Sequence, residues 1–104
     1  MYGLIGKMRT HPGQRDELLD LLLRAAKLLP EVEGCYSYII SSDPNDPEGI
    51  WVTEVWRSQA DHQASLNHEQ VREVIMAGRP LIAEFAQRFE VTPLGGMGLP
   101  ESAT

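Results

Sequence analysis

The alternation of apolar and polar residues divides the chain into four short strands and two helical regions. From Tyr2 to Arg9 the period is two. It places Tyr2, Leu4, Gly6 and Met8 on one face and Gly3, Ile5, Lys7 and Arg9 on the other. Thr10-His11-Pro12-Gly13 reads as a turn, and the period then lengthens to that of a helix. This helix is predicted over about Gly13 to Leu29, with Pro12 near its first position. Leu18, Leu22, Ala25 and Leu29 form its apolar stripe, and Asp16, Asp20, Arg24 and Lys27 its polar one. Acidic residues come early and basic ones late, which suits the helix dipole, and Pro30 ends the element. Gly34 to Ser41 is the second strand, with Tyr36, Tyr38 and Ile40 alternating against Cys35, Ser37 and Ile39. Asp43-Pro44-Asn45-Asp46-Pro47 makes a polar turn region, and Ile50 to Arg57 is the third strand.

Ser58 is a good N-cap, with Asp61 three residues on, so a second helical region starts there. Asn67-His68 and Gly78-Arg79-Pro80 interrupt its apolar rhythm. Three short pieces are predicted, about 59–66, 69–77 and 80–85. Gln87 to Pro93 is the fourth strand, with Phe89 and Val91 on one face. Gly95-Gly96-Met97-Gly98-Leu99 reads as a flexible extension, and Pro100 to Thr104 as a disordered tail. One domain over residues 1–99 is expected.

The order β-α-β-β-α-β is the ferredoxin-like split motif, an α+β fold with a four-stranded antiparallel sheet and both helical regions on one face. The free face of such a sheet is normally polar. Here Leu4 and Ile5, Tyr38 and Ile39, and Val52 and Val55 fall on opposite faces, so both faces carry apolar residues. The helices cover one, and a second copy of the chain is the economical cover for the other.

Composition narrows the function. A net charge of −6 over 104 residues lacks the basic footprint of a nucleic-acid binder and disfavours an anionic membrane surface. A single cysteine, Cys35, has no internal disulfide partner, which suits a reducing cytoplasm. No basic stretch followed by a long apolar one marks a signal peptide, and no apolar run approaches the ~20 residues of a membrane span. Three histidines without ligand spacing give no zinc motif, and the glycine-rich end lacks the strand–loop–helix setting of a phosphate loop. No cofactor is therefore expected.

Seven segments in order resemble the antibiotic biosynthesis monooxygenase domain family, of the dimeric α/β-barrel superfamily that includes quinol monooxygenases. They are residues 2–7, Pro12-Gly13-Gln14-Arg15-Asp16, Gly34-Cys35-Tyr36-Ser37-Tyr38, Thr53-Glu54-Val55-Trp56-Arg57-Ser58, residues 62–66, Arg79-Pro80-Leu81-Ile82 and residues 95–99. The resemblance implies two sheets closed face to face across a homodimer, and a small-molecule pocket between sheet and helices in each subunit. It further implies oxidation of a quinol or related phenolic by O2 without flavin, metal or haem. The deprotonated substrate is itself electron-rich enough to react with oxygen. Other branches isomerise small metabolites or degrade haem. The haem branch uses a strand-one Asn, a Trp and a His. Strand one here has no Asn, and the other two positions fall on Ser65 and Ile75.

The candidate chemistry centres on the junction of the third strand and the following helix. His62 is the candidate general base, with an ordinary pKa near 6.5 and Glu54 as a carboxylate partner; otherwise it is a surface histidine. Glu54 sits mid-strand, where it either lines the pocket or pairs with Lys7 or Arg9 across the sheet. Trp56 stacks on an aromatic substrate or serves as a core or interface indole. At most one of Tyr36 and Tyr38 is expected in the cavity, with Tyr38 the candidate. Arg79, beside Pro80 at a helix break, either holds an anionic phenolate or makes a surface salt bridge. Two non-redox readings stand beside the monooxygenase: an isomerase-like enzyme on this fold, and a dimeric binding module.

Overall fold

A computed structural model of the chain describes residues 1–101; residues 102–104, part of the expected disordered tail, lie outside the described residues. The strands are β1 (Tyr2–Thr10), β2 (Cys35–Ser42), β3 (Gly49–Trp56) and β4 (Ile82–Val91). The helices are α1 (Arg15–Leu28), α2 (Gln59–Ser65) and α3 (Glu69–Gly78), with 3-10 turns at Leu29–Glu31 and Arg79–Leu81. The sheet order is β2-β3-β1-β4 with every pairing antiparallel, the ferredoxin-like α+β arrangement.

Three local readings need correction. The helix predicted from Gly13 begins at Arg15, because Gly13 takes φ +78° and closes the preceding turn. The stretch 80–85 is helical only in the 3-10 turn that ends at Leu81, and β4 starts at Ile82 rather than Gln87. The cause is a pair of bulges. Lys7 faces Gln87 and Met8 faces Phe85, so Ala86 is an extra residue; Arg9 faces Glu84 and Thr10 faces Ile82, so Ala83 is another. Each bulge resets the alternation, and the resulting spacing of Ile82, Phe85 and Phe89 imitates a helix. A third bulge lies in β2, where Cys35 faces Trp56 and Ser37 faces Val55. It leaves Tyr36 out of the alternation and turns Cys35 to the helix side, where it packs with Tyr38 beside Trp56.

The helix-side face divides into two apolar clusters. Leu18, Ile50, Val52 and Leu81 form one, and Leu29, Trp56 and Val71 the other. Their separation follows from the register. Ile50 and Val52 lie at the start of β3 and Trp56 at its end, so α1 and α3 bridge one cluster to the other.

Among the described residues, nothing covers the opposite face. Ile39, Thr53, Ile5 and Phe89 lie in register across all four strands, with Ile39 54% and Phe89 52% exposed. At one end of this face the β2–β3 loop folds back over β1. Lys7 Nζ reaches Asp43 at 2.9 Å and Asp46 at 3.1 Å, Arg9 Nε reaches Asp46 at 2.8 Å, and Trp51 Nε1 donates to Asp43 at 3.1 Å. These partners remove Lys7 and Arg9 as counter-ions for Glu54, whose side chain points to the other face.

Candidate active site

Between the sheet and the helices lies a cavity of about 720 Å³, within the range of small-molecule sites. All five residues singled out in the sequence line it: Tyr38, Glu54, Trp56, His62 and Arg79. Three of them arrive there by strand periodicity. Glu54 and Trp56 are two apart on β3, and Tyr38 pairs directly with Glu54 from β2, so all share the helix side. Tyr36 is absent from the lining.

His62 is placed by the start of α2. Ser58 accepts a hydrogen bond from the Asp61 backbone N–H at 3.1 Å, and its hydroxyl donates to the Asp61 carboxylate at 2.9 Å. Arg57 binds the same carboxylate through Nε at 2.7 Å and a terminal nitrogen at 2.9 Å. Gly34, with φ +85°, packs so closely that a Cβ there would lie 2.5 Å from the Asp61 Cγ. The cap, the fork and the glycine together set where the helix starts. The imidazole then projects one turn later over the end of β3. Ser65 closes the turn by donating to the His62 carbonyl.

The imidazole Nε2 lies 3.7 Å from Glu54 Oε1, and the same oxygen accepts a hydrogen bond from Trp56 Nε1 at 3.0 Å. At 3.7 Å the histidine contact exceeds hydrogen-bond length. The two groups are tuned in opposite directions. Burial raises the Glu54 pKa, and the Trp56 hydrogen bond and the Arg88 charge offset that rise only partly. Burial lowers the His62 pKa, and Arg88 adds to the lowering against an opposing effect of Glu90. The imidazole is therefore neutral at pH 7 despite its carboxylate neighbour, and the contact is not a salt bridge there. Burial, reinforced by Glu54, also drives the Tyr38 hydroxyl far above the usual phenolic range. The Cys35 thiol is pushed up to about 11, mainly by burial and then by Glu54, so it is no nucleophile at neutral pH.

A second layer stands behind the histidine. The Tyr2 ring lies 5.7 Å from the imidazole, and Trp56 packs edge-on to it at 5.6 Å. The Tyr2 hydroxyl donates to Glu90 at 2.7 Å and accepts from Arg88 at 3.4 Å. Tyr2, Arg88 and Glu90 were not singled out in the sequence. The available signal was the alternation that puts Arg88 and Glu90 opposite Phe89 and Val91. Ser65 and Arg72, which also line the cavity, gave no signal beyond ordinary helix residues. His68 stands at the N-cap position of α3, and His11 lies in the exposed turn after β1. Among the described residues, no group of three or more His, Cys, Asp or Glu side chains is placed to hold a metal ion.

Sheet order, helix placement and the enclosed cavity define a ferredoxin-like α+β protein with a small-molecule site on its helix side. The family model described as antibiotic biosynthesis monooxygenase matches residues 1–76, and the chain belongs to that family. A solved structure from Chloroflexus aurantiacus J-10-fl, assigned to the same monooxygenases, is 49% identical. It covers 95% of this chain and 98% of its own, with a TM-score of 0.87. Two more distant structures carry the same assignment and share the fold. That from Deinococcus radiodurans is 20% identical, covering 93% and 96% of the two chains with a TM-score of 0.77. That from Nitrosomonas europaea is 16% identical, covering 93% and 99% with a TM-score of 0.76. No curated protein matches. No helix among the described residues is long and apolar enough to cross a membrane.

Proposed function

We propose that this chain is a cofactor-independent monooxygenase that oxidises a quinol or related phenolic with O2. The observation that carries this reading is the buried pair on the cavity wall. A neutral imidazole with a lowered pKa faces a carboxylate oxygen 3.7 Å away, and an indole N–H donates to that same oxygen at 3.0 Å. In this reading His62 accepts the phenolic proton. Glu54 orients the ring and stabilises the imidazolium as it forms. Trp56 and Tyr38 frame the aromatic plane of the substrate. The phenolate then supplies the electrons. One oxygen atom enters a ring carbon and the other leaves as water, so that a phenol plus O2 gives a quinone plus H2O. The apolar lining keeps bulk water from the oxygen-reactive anion.

The functional unit in this proposal is a homodimer. The apolar row Ile39–Thr53–Ile5–Phe89 meets its copy across a two-fold axis and closes two sheets into one barrel. The lack of an internal disulfide partner for Cys35 favours a reducing cytoplasm. Oxygen uptake with a panel of quinols and polycyclic phenols, without flavin or metal, tests the reaction. Uptake that tracks substrate loss supports it. Isomerised product without oxygen consumption would replace it with a non-redox enzyme on the same acid–base pair.

A further inference from the structure

The proposed base and the backbone of Arg79 lie toward different ends of the cavity. Trp56, which contacts both Glu54 and His62, belongs to the cluster that holds Leu29 and Val71. Arg79 follows Gly78, which packs against Leu18, and precedes Leu81; both leucines belong to the other cluster, with Ile50. Ile50 is four residues before Glu54 on β3, about 13 Å away at ~3.3 Å per residue. This spacing along β3 favours different groups of one ligand at His62 and at Arg79.

The guanidinium of Arg79 has company. Arg72 also lines the cavity, seven residues earlier. Seven residues are two helical turns, about 10 Å of rise, and the two arginines fall on one stripe with Met76 between them. Among the described residues, neither makes an ion pair or a side-chain hydrogen bond; of the other arginines, Arg9, Arg15, Arg57 and Arg88 have oxygen partners, and Arg24, outside the cavity, has none. Two unpaired like charges on one helix stripe repel each other in a chain that carries six excess negative charges. Around them the mouth is apolar, with Met76 68% and Phe85 75% exposed.

We propose that the substrate is a phenolic acid, an aromatic whose carboxylate sits at the end remote from the reacting hydroxyl. Arg79 binds the carboxylate as a planar fork, and Arg72 draws the anion to the mouth. This rests on the proposed oxidation site for the placement of the hydroxyl, not for the recognition of the anion.

A shape-matched pair of probes tests it: 6-hydroxy-2-naphthoic acid and its methyl ester, titrated calorimetrically at pH 7.5. The acid is expected to bind about tenfold more tightly than the ester, an effect of the size of one charge-assisted hydrogen bond. Arg79→Met should bring the two ligands to within about twofold of each other by weakening the acid alone. Arg72→Met should weaken the acid by a smaller factor and reduce its salt dependence. Both side chains are exposed, and unchanged ester affinity reports an intact pocket in each variant. Equal binding of acid and ester overturns the proposal. So does no binding of the acid at millimolar concentration, or a preference that survives Arg79→Met. Oxygen uptake is scored separately. Acid selectivity without turnover of any quinol would leave this inference standing and remove the oxidation. Turnover of neutral quinols without acid selectivity would do the reverse.

Discussion

Trp56 Nε1 donates to Glu54 Oε1 at 3.0 Å, two residues along the same strand and on the same face. The indole is buried, with 1% of its surface exposed, so it is a fixed donor behind a carboxylate that has lost most of its water. Trp56→Phe keeps most of the packing and removes this donor. The charged carboxylate then stands buried with one fewer partner. Stability should fall by about 1–3 kcal/mol at pH 7, and the Glu54 pKa should rise further. Denaturant unfolding over a range of pH checks both, since the loss should shrink as pH falls and the carboxylate takes up a proton.

His62→Ala should fold and associate as the wild type does, because the side chain contributes no cap and no resolved hydrogen bond. Loss of a general base typically costs about 10²–10⁴ in rate. Turnover of the true substrate should therefore fall by at least about a hundredfold. Near-full turnover in the variant would place the base elsewhere.

The rate should climb with pH as the imidazole loses its proton. Burial and Arg88 lower the His62 pKa, so the rise should be centred below 6.5 rather than at or above it. Arg88→Gln removes one cause of the lowering and should move the midpoint upward. A pH–rate profile on both proteins reads the shift directly. The same lowering has a stability sign. The contribution of neutral His62 is fully present above the unfolded pKa near 6.5 and is lost as pH falls toward the folded value.

Glu54 has the opposite linkage. Burial raises its folded pKa above the ordinary value of 4.5. Its contribution is therefore fully present below the unfolded pKa and is lost as pH rises through the folded one. Glu54→Gln removes a charge that is costly to bury at neutral pH and can keep the Trp56 hydrogen bond. The variant should melt about 2–5 °C higher than the wild type at pH 7.5, with the advantage gone near pH 4. It should also turn over more slowly, though with a smaller loss than His62→Ala. A gain in stability with a loss of rate is the usual mark of a strained catalytic position.

The row of Ile39, Ile5 and Phe89, with Ile39 and Phe89 exposed and Ile5 half-buried between them, predicts self-association through the open face of the sheet. Sedimentation at micromolar concentration should give about twice the 11.6 kDa chain mass. Phe89→Lys puts a charge on the β4 edge of that face and should yield monomer with its helix-side cavity intact. A wild-type monomer would remove the barrel from the account.

Much of the site was readable because period-two alternation is robust in β3. Once Val52 faces the core, Glu54 and Trp56 must follow it, and the Ser58–Asp61 cap fixes how soon His62 appears. The reading failed where a single residue breaks phase. Ala83 and Ala86 are each an extra residue against β1, and without the partner strand no pattern distinguishes a doubly bulged strand from a short helix. The bulge at Tyr36 in β2 was hidden from the alternation for the same reason. Arg88 and Arg72 were overlooked for another. A charged residue on a strand or helix reads as solvated until the elements packed around it are known, and both reach the site only through tertiary packing.

Gly34 stands 28 positions before His62 in the sequence, yet it behaves as the datum from which the imidazole is measured. Any side chain at this position would collide with the Asp61 carboxylate, the group through which Ser58 and Arg57 hold the start of α2. Because the ring sits one residue beyond that anchor, a side chain at Gly34 would shift the start of α2 and carry the imidazole with it. The position of His62 is thus set in part by a loop residue outside the cavity. A change in that loop would realign the imidazole over the end of β3 without altering any residue that lines the cavity.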